Sequence, residues 1–124
     1  MVQAIRVHET GGPEVMRWEH VDVGEPGPGE ARIRHTAIGL NFIDTYFRSG
    51  LYPAPSGTPF SPGNEGAGIV QSVGEGVTHL NPGDRVAYAG PIGSYAQERI
   101  IAADSLVVVP ESIDDKTAAG MMLK

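Results

Sequence analysis

Gly63-Asn64-Glu65-Gly66-Ala67-Gly68-Ile69-Val70 is the stretch on which the fold turns. Val73-Gly74 follow it, and after a short gap come Asn81-Pro82-Gly83-Asp84-Arg85-Val86. The order is a glycine-spaced entry, a short apolar strand over 66–73, a Pro-Gly turn and a second strand over 85–89. Pro82 fixes one dihedral and Gly83 supplies the positive one, as the central pair of a type II turn requires. Gly63, Gly66 and Gly68 permit close backbone contact where a sheet bends.

Upstream, 2–8 reads as a first strand and 16–23 as its hairpin partner across the Gly11-Gly12-Pro13 turn. Pro26-Gly27-Pro28-Gly29 breaks the chain and launches a strand over 30–38. There Ala31, Ile33 and Ala37 alternate with Arg32, Arg34 and Thr36, so one face is buried and the other wet. Asn41 can cap a short helix over 42–47 that Gly50 ends, with Phe42, Ile43, Tyr46 and Phe47 sharing one side. A loop rich in proline and glycine runs from Leu51 to Pro62. Downstream, 94–102 and 106–109 complete a set of short strands. The pattern predicts a mainly β fold, a partly open barrel with short helices. Ser112 or Asp114 can cap a last helix over 116–124, which has no C-cap. Its Met121, Met122 and Leu123 find nothing in the sequence to bury them, so Lys124 reads as a cut point.

The 124 residues suffice for one domain with its own core and are too few for two ordinary ones. Hydrophobic residues at 40% and charged residues at 19% suit a globular chain, and 17 glycines with 10 prolines predict frequent turns. A net charge of -6 without any basic run argues against a nucleic-acid surface, leaving small molecules or other proteins as partners. Cysteine is absent, which excludes disulfides, thiolate metal sites and a cysteine nucleophile. Residues 1–9 lack the basic flank and apolar core of a signal peptide, and no apolar run reaches membrane-spanning length. A cytoplasmic protein without membrane contact is expected.

The histidines, His8, His20, His35 and His79, sit at no tight ligand spacing and apart from the carboxylates, so no metal site is expected. Two segments, 66–71 and 74–79, begin like a dinucleotide fingerprint. Both lack the third glycine, and Pro82 arrives before a helix could receive the pyrophosphate. The chain therefore holds no complete cofactor-binding unit. Asn41, Asp44, Tyr46 and Tyr52 cluster in the short helix and the loop after it. They fit a capped helix whose tyrosines pack their rings, or a polar cleft.

Gly39-Leu40-Asn41-Phe42-Ile43-Asp44-Thr45-Tyr46 resembles the matching segment of the zinc-free NADPH:quinone oxidoreductases, the zeta-crystallin-like branch of the medium-chain dehydrogenases and reductases. So do Arg48-Ser49-Gly50-Leu51-Tyr52-Pro53 and Gly63-Asn64-Glu65-Gly66-Ala67-Gly68. Ala118-Ala119-Gly120-Met121-Met122-Leu123-Lys124 is similar to the helix that leads that family's chain into its cofactor domain. The resemblance implies a GroES-like catalytic domain over 1–110. It implies that 111–124 start the helix towards a Rossmann domain that this chain lacks. It further implies a homodimeric parent that uses NADPH and a small-molecule quinone.

In zinc alcohol dehydrogenases the positions of Asn41 and Asn64 hold a cysteine and a histidine ligand. The amides here imply that catalytic zinc is missing. The family's pattern makes Asn41, Tyr46 and Tyr52 the catalytic candidates, with Ile43, Asp44, Asn64 and Glu65 lining the substrate and cofactor cleft. Losing the metal agrees with the chemistry. An aldehyde reduced by hydride becomes a localised alkoxide that needs a Lewis acid, whereas a quinone spreads the charge over its ring. The same residues leave two rivals open: an enoyl-thioester or alkenal reductase, and a non-catalytic GroES-like binding module.

Overall fold

The computed structural model describes residues 2–55 and 57–122. Its elements in chain order are β1 (Val2–Val7), β2 (Met16–Val21), β3 (Glu30–Gly39), α1 (Phe42–Ser49), β4 (Glu65–Val73), β5 (Arg85–Ala89), β6 (Glu98–Ala102), β7 (Val107–Val108) and α2 (Asp115–Met121). β1 and β2 form a two-stranded antiparallel ribbon with Ile5 opposite Trp18. The other strands form a five-stranded sheet in the order β6-β3-β4-β5-β7. Neither sheet closes on itself, and the ribbon is tied to the rest through bridges from Ala4 to Ala96 and from Val7 to Phe60. No helix is long and apolar enough to cross a membrane.

The alternation in β3 holds, with Ala31 and Ile33 buried and Arg34 exposed. The register then shifts between His35 and Ala37, where Thr36 is the extra residue of a bulge against β4. The Pro82-Gly83 turn also forms: Gly83 takes a φ of 95° and the Asp84 N–H donates to Asn81 O at 3.0 Å. Gly66 and Gly68 lie inside β4, paired with β3 on one side and β5 on the other. Their backbone groups are spent on the sheet, so neither can cradle a phosphate.

Two clusters make the core. The larger gathers Ile33, Val70, Leu80, Val86, Tyr88, Ile101 and Leu106. Each large aliphatic side chain buried there contributes about 1.5–3 kcal/mol, so most of the hydrophobic stabilisation sits in this cluster. The smaller is built from Ala67, Ala87, Val109, Ala118 and Ala119, with Ala37, Ile113 and Met122 against it. Methyl groups bury little area. What they do instead is let α2 lie close on the sheet, so close that a Cβ on Gly39 would sit 2.5 Å from the Ala119 carbonyl oxygen. Arg85 fastens the helix, donating to Asp115 Oδ1 from Nη2 at 3.0 Å and to Ile113 O at 2.7 Å.

Two expectations need correction, and the structure decides which side of α1 is buried. The strand expected over 94–102 begins only at Glu98, because residues 93–95 bond instead to the Pro62-Gly63 turn. The shared side of Phe42, Ile43, Tyr46 and Phe47 is not the buried side of α1: Phe42 is 84% exposed, and the helix residue that is buried is Asp44. The last helix is capped by Asp114, whose Oδ1 accepts from the Thr117 N–H at 2.8 Å, and it does find a core. Met122 packs on the alanine cluster while Met121 stays 39% exposed; Leu123 and Lys124 lie outside the described residues.

Candidate active site

β3 delivers the chain to the site and α1 begins there. Asn41 precedes the helix in extended conformation, and the Asp44 side chain reaches back so that Oδ2 accepts from the Asn41 N–H at 3.1 Å. This fixes the first turn. Gly50 then ends α1, its N–H donating to Phe47 O at 3.2 Å.

Asn41, Asp44, Asn64 and Glu65 come together into one polar network. Asn41 Nδ2 donates to Glu65 Oε1 at 2.8 Å, and Asn64 Nδ2 donates to Asp44 Oδ1 at 3.0 Å. A carboxylate can only accept, so each amide must turn a nitrogen towards its acid. Each acid takes up one N–H of its amide, which leaves the second N–H on the same nitrogen. Asp44 is 3% exposed and Glu65 fully buried, while Asn41 is half-buried and therefore the reachable amide of the two.

A residue absent from the sequence-based candidates completes the network. Tyr95 Oη donates to Asp44 Oδ2 at 2.7 Å across 51 positions of sequence. Burial and this bond to a carboxylate push the Tyr95 hydroxyl well above its ordinary pKa, so it remains a donor. No local pattern announces such a contact.

Tyr46 and Tyr52 sit on the outer side of α1 and form a separate aromatic group. Their ring centroids are 5.4 Å apart, edge to face, and Phe47 lies 5.9 Å from Tyr52. The Tyr52 N–H donates to Tyr46 O at 3.1 Å, which folds the loop back onto the helix. Ile43 is half-buried on the first turn of the helix. Asn41, Tyr46 and Tyr52 line neither the cavity of about 360 Å³ walled by Trp18, Ile38, Tyr95 and Gln97 nor one of about 420 Å³ between Arg6, Phe60 and Arg99. Tyr46 and Tyr52 are partly exposed, and Leu40 and Phe42 on either side of Asn41 are largely exposed.

Of the four histidines, His35 is the one drawn inside. Its Nδ1 lies 2.7 Å from Ala96 O, which can only accept, so Nδ1 carries the proton and Nε2 accepts from Tyr88 Oη at 2.7 Å. Arg99 Nη1 donates to the same hydroxyl at 3.3 Å, and the guanidinium stands 5.2 Å from the Tyr88 ring centre. Burial lowers the His35 pKa to about 4, so the imidazole is neutral near pH 7. Among the described residues no group of three or more His, Cys, Asp or Glu is placed to hold a metal ion.

Residues 27–111 match the alcohol dehydrogenase GroES-like domain, and the chain belongs to that family. Its relatives include quinone oxidoreductases of the medium-chain dehydrogenase/reductase superfamily. It is 53% identical over 125 residues to the quinone oxidoreductase of Pseudomonas aeruginosa, covering 100% of this chain and 38% of that protein. To the 2-haloacrylate reductase of a Burkholderia species it is 47% identical over 129 residues, covering 100% of this chain and 39% of that one. The crystal structure of Escherichia coli quinone oxidoreductase complexed with NADPH superposes with a TM-score of 0.93 at 43% identity, over 98% of this chain and 37% of that one. The chain thus spans well under half the length of these relatives.

Proposed function

We propose that this chain is the substrate-side catalytic domain, over 1–110, of a zinc-independent NADPH:quinone oxidoreductase, and that 111–124 begin the connection to a cofactor domain. The observation that carries it is the pairing of Asn41 with Glu65 and of Asn64 with Asp44. Two amides whose nitrogens already donate to buried carboxylates make poor metal ligands and good fixed dipoles. NADPH supplies the hydride when bound. The chain's part is to orient the acceptor against the Asn41 side and to donate hydrogen bonds to its oxygen, from the second Asn41 N–H and from the Tyr46 or Tyr52 hydroxyl. Ile43 and the exposed apolar side chains of the same face would exclude water from a flat ring. These donors suffice because the charge developing on a quinone is shared between two oxygens and the ring. The homodimeric parent belongs to the same proposal and rests on family resemblance, and a cytoplasmic location is proposed with it.

A second substrate class has its own support in the 47% identity to a 2-haloacrylate reductase. Its name points to an acceptor with a carbon-carbon double bond beside a carboxylate, which also takes hydride into a conjugated system.

The test is a titration of the full-length protein with NADPH against quinones, enones, enoyl thioesters and 2-haloacrylate, with zinc measured on the same tag-free sample. Quinone turnover without stoichiometric zinc is expected. Exclusive turnover of an alkene acid or thioester would replace the substrate assignment, and one zinc per chain would overturn the metal-free one. The isolated 124-residue chain should show no turnover, since its glycines at 66 and 68 are locked in β4.

A further inference from the structure

We propose that Tyr95 is a positioning residue for the reaction, acting through Asp44 on the Asn64 amide; this rests on the assignment of the amide-bearing face as the site of hydride transfer. Tyr95 holds Asn64 from two directions. Through its hydroxyl it bonds Asp44 Oδ2 at 2.7 Å, and Asp44 Oδ1 in turn receives the Asn64 amide at 3.0 Å. Through its ring it packs on Gly63, the residue before Asn64, so tightly that a Cβ there would lie 2.5 Å from Tyr95 Cδ1. The Tyr95 N–H also donates to Pro62 O at 3.0 Å, and Gly93 to Gly63 O at 2.9 Å. The turn that presents Asn64 is therefore seated on the segment that carries Tyr95.

The same hydroxyl reaches Asn41. Asp44 Oδ2 is shared between Tyr95 and the Asn41 N–H, the bond that sets the first turn of α1. If the hydroxyl is lost, the carboxylate is held by its two amide partners alone and can swing on its own helix. The Asn64 amide then loses its fixed direction, while the Asn41 side chain keeps its bond to Glu65. Neither Asp44 nor Tyr95 needs to touch the acceptor for this to matter, because a dipole that must reorient during the reaction stabilises the transition state less than one already in place.

The experiment uses the full-length protein with Tyr95→Phe, alone and combined with Asn64→Ala. The phenylalanine ring keeps the packing on Gly63 and removes only the donor. Turnover should fall about tenfold with the KM for NADPH unchanged. The second loss should shrink towards none in the Asn64→Ala background, where the amide that Tyr95 holds is already gone. The Asn64 side-chain NH2 signals in a 15N-correlated spectrum should move in Tyr95→Phe while those of Asn81 stay. Unaltered turnover, or the same fold-loss with and without the Asn64 side chain, overturns the positioning role. A wild-type protein that reduces no acceptor fails earlier and differently: it overturns the site assignment itself.

Discussion

A carboxylate placed beside an asparagine decides which way the amide points, because it can only accept. Glu65 does this for Asn41 and Asp44 for Asn64, and both acids are out of water. At this scale the tyrosines divide into two kinds. Tyr95 is tied inwards, while Tyr46 and Tyr52 are partly exposed. If Tyr46 donates to the acceptor, Tyr46→Phe removes one hydrogen bond and leaves the ring contact with Tyr52. Turnover in the full-length protein should then drop about fivefold, the equivalent of about 1 kcal/mol, with little change in melting temperature. A melting temperature that falls while kinetics stay level would assign Tyr46 to packing alone.

At the scale of elements, the turn before β4 is the most constrained join in the fold. Gly63 has a φ of 100°, where an L side chain is strained, and a Cβ on it would run into Ser94 Oγ and the Tyr95 ring. Two penalties act at once, one from the backbone and one from the collision. Gly63→Ala should therefore cost at least about 2 kcal/mol of stability, measured by urea unfolding. It should also loosen Asn64, whose carbonyl accepts from the Gly90 N–H on the far side of the same turn. Gly76 is also at positive φ, but a Cβ on it would meet nothing within 4 Å. It serves as the control and should lose much less on the same change.

For the molecule as a whole, the acid limit of stability is set in part by His35. Its folded pKa, about 4, lies below the ordinary 6.5 because burial disfavours the imidazolium. Between these values the unfolded chain binds the proton that the folded chain refuses. Stability is therefore full above pH 6.5 and is lost as the pH falls towards 4, by roughly 3 kcal/mol from this group. Unfolding midpoints should stay level near neutrality and drop across that window. In His35→Gln, which keeps a donor for Ala96 O but has no titrating group, the drop should be shallower. An identical acid limb in the variant would place the loss on the carboxylates instead.

Strand periodicity in β3, the Pro82-Gly83 turn, the Asn41 and Asp114 caps and the Gly50 stop were legible in the sequence because each depends on neighbours within a few residues. The mainly β class followed from them, and so did the absence of a phosphate-binding turn at Gly66 and Gly68, since that needs a helix directly afterwards. The candidate amides were legible only through family resemblance. Where 94–97 would run was decided by bonds to Pro62 and Gly63, some thirty positions away. Whether the apolar side of α1 faced inwards was decided by Asp44, which took the buried place because Asn64 and Tyr95 supplied donors for its charge. The partial burial of Met122 was decided by alanines on three strands that let α2 approach. Local propensity reaches as far as a turn of helix or the width of a hairpin. Partners for a buried charge and space for a helix come from segments far apart in the chain, and only the folded arrangement brings them together.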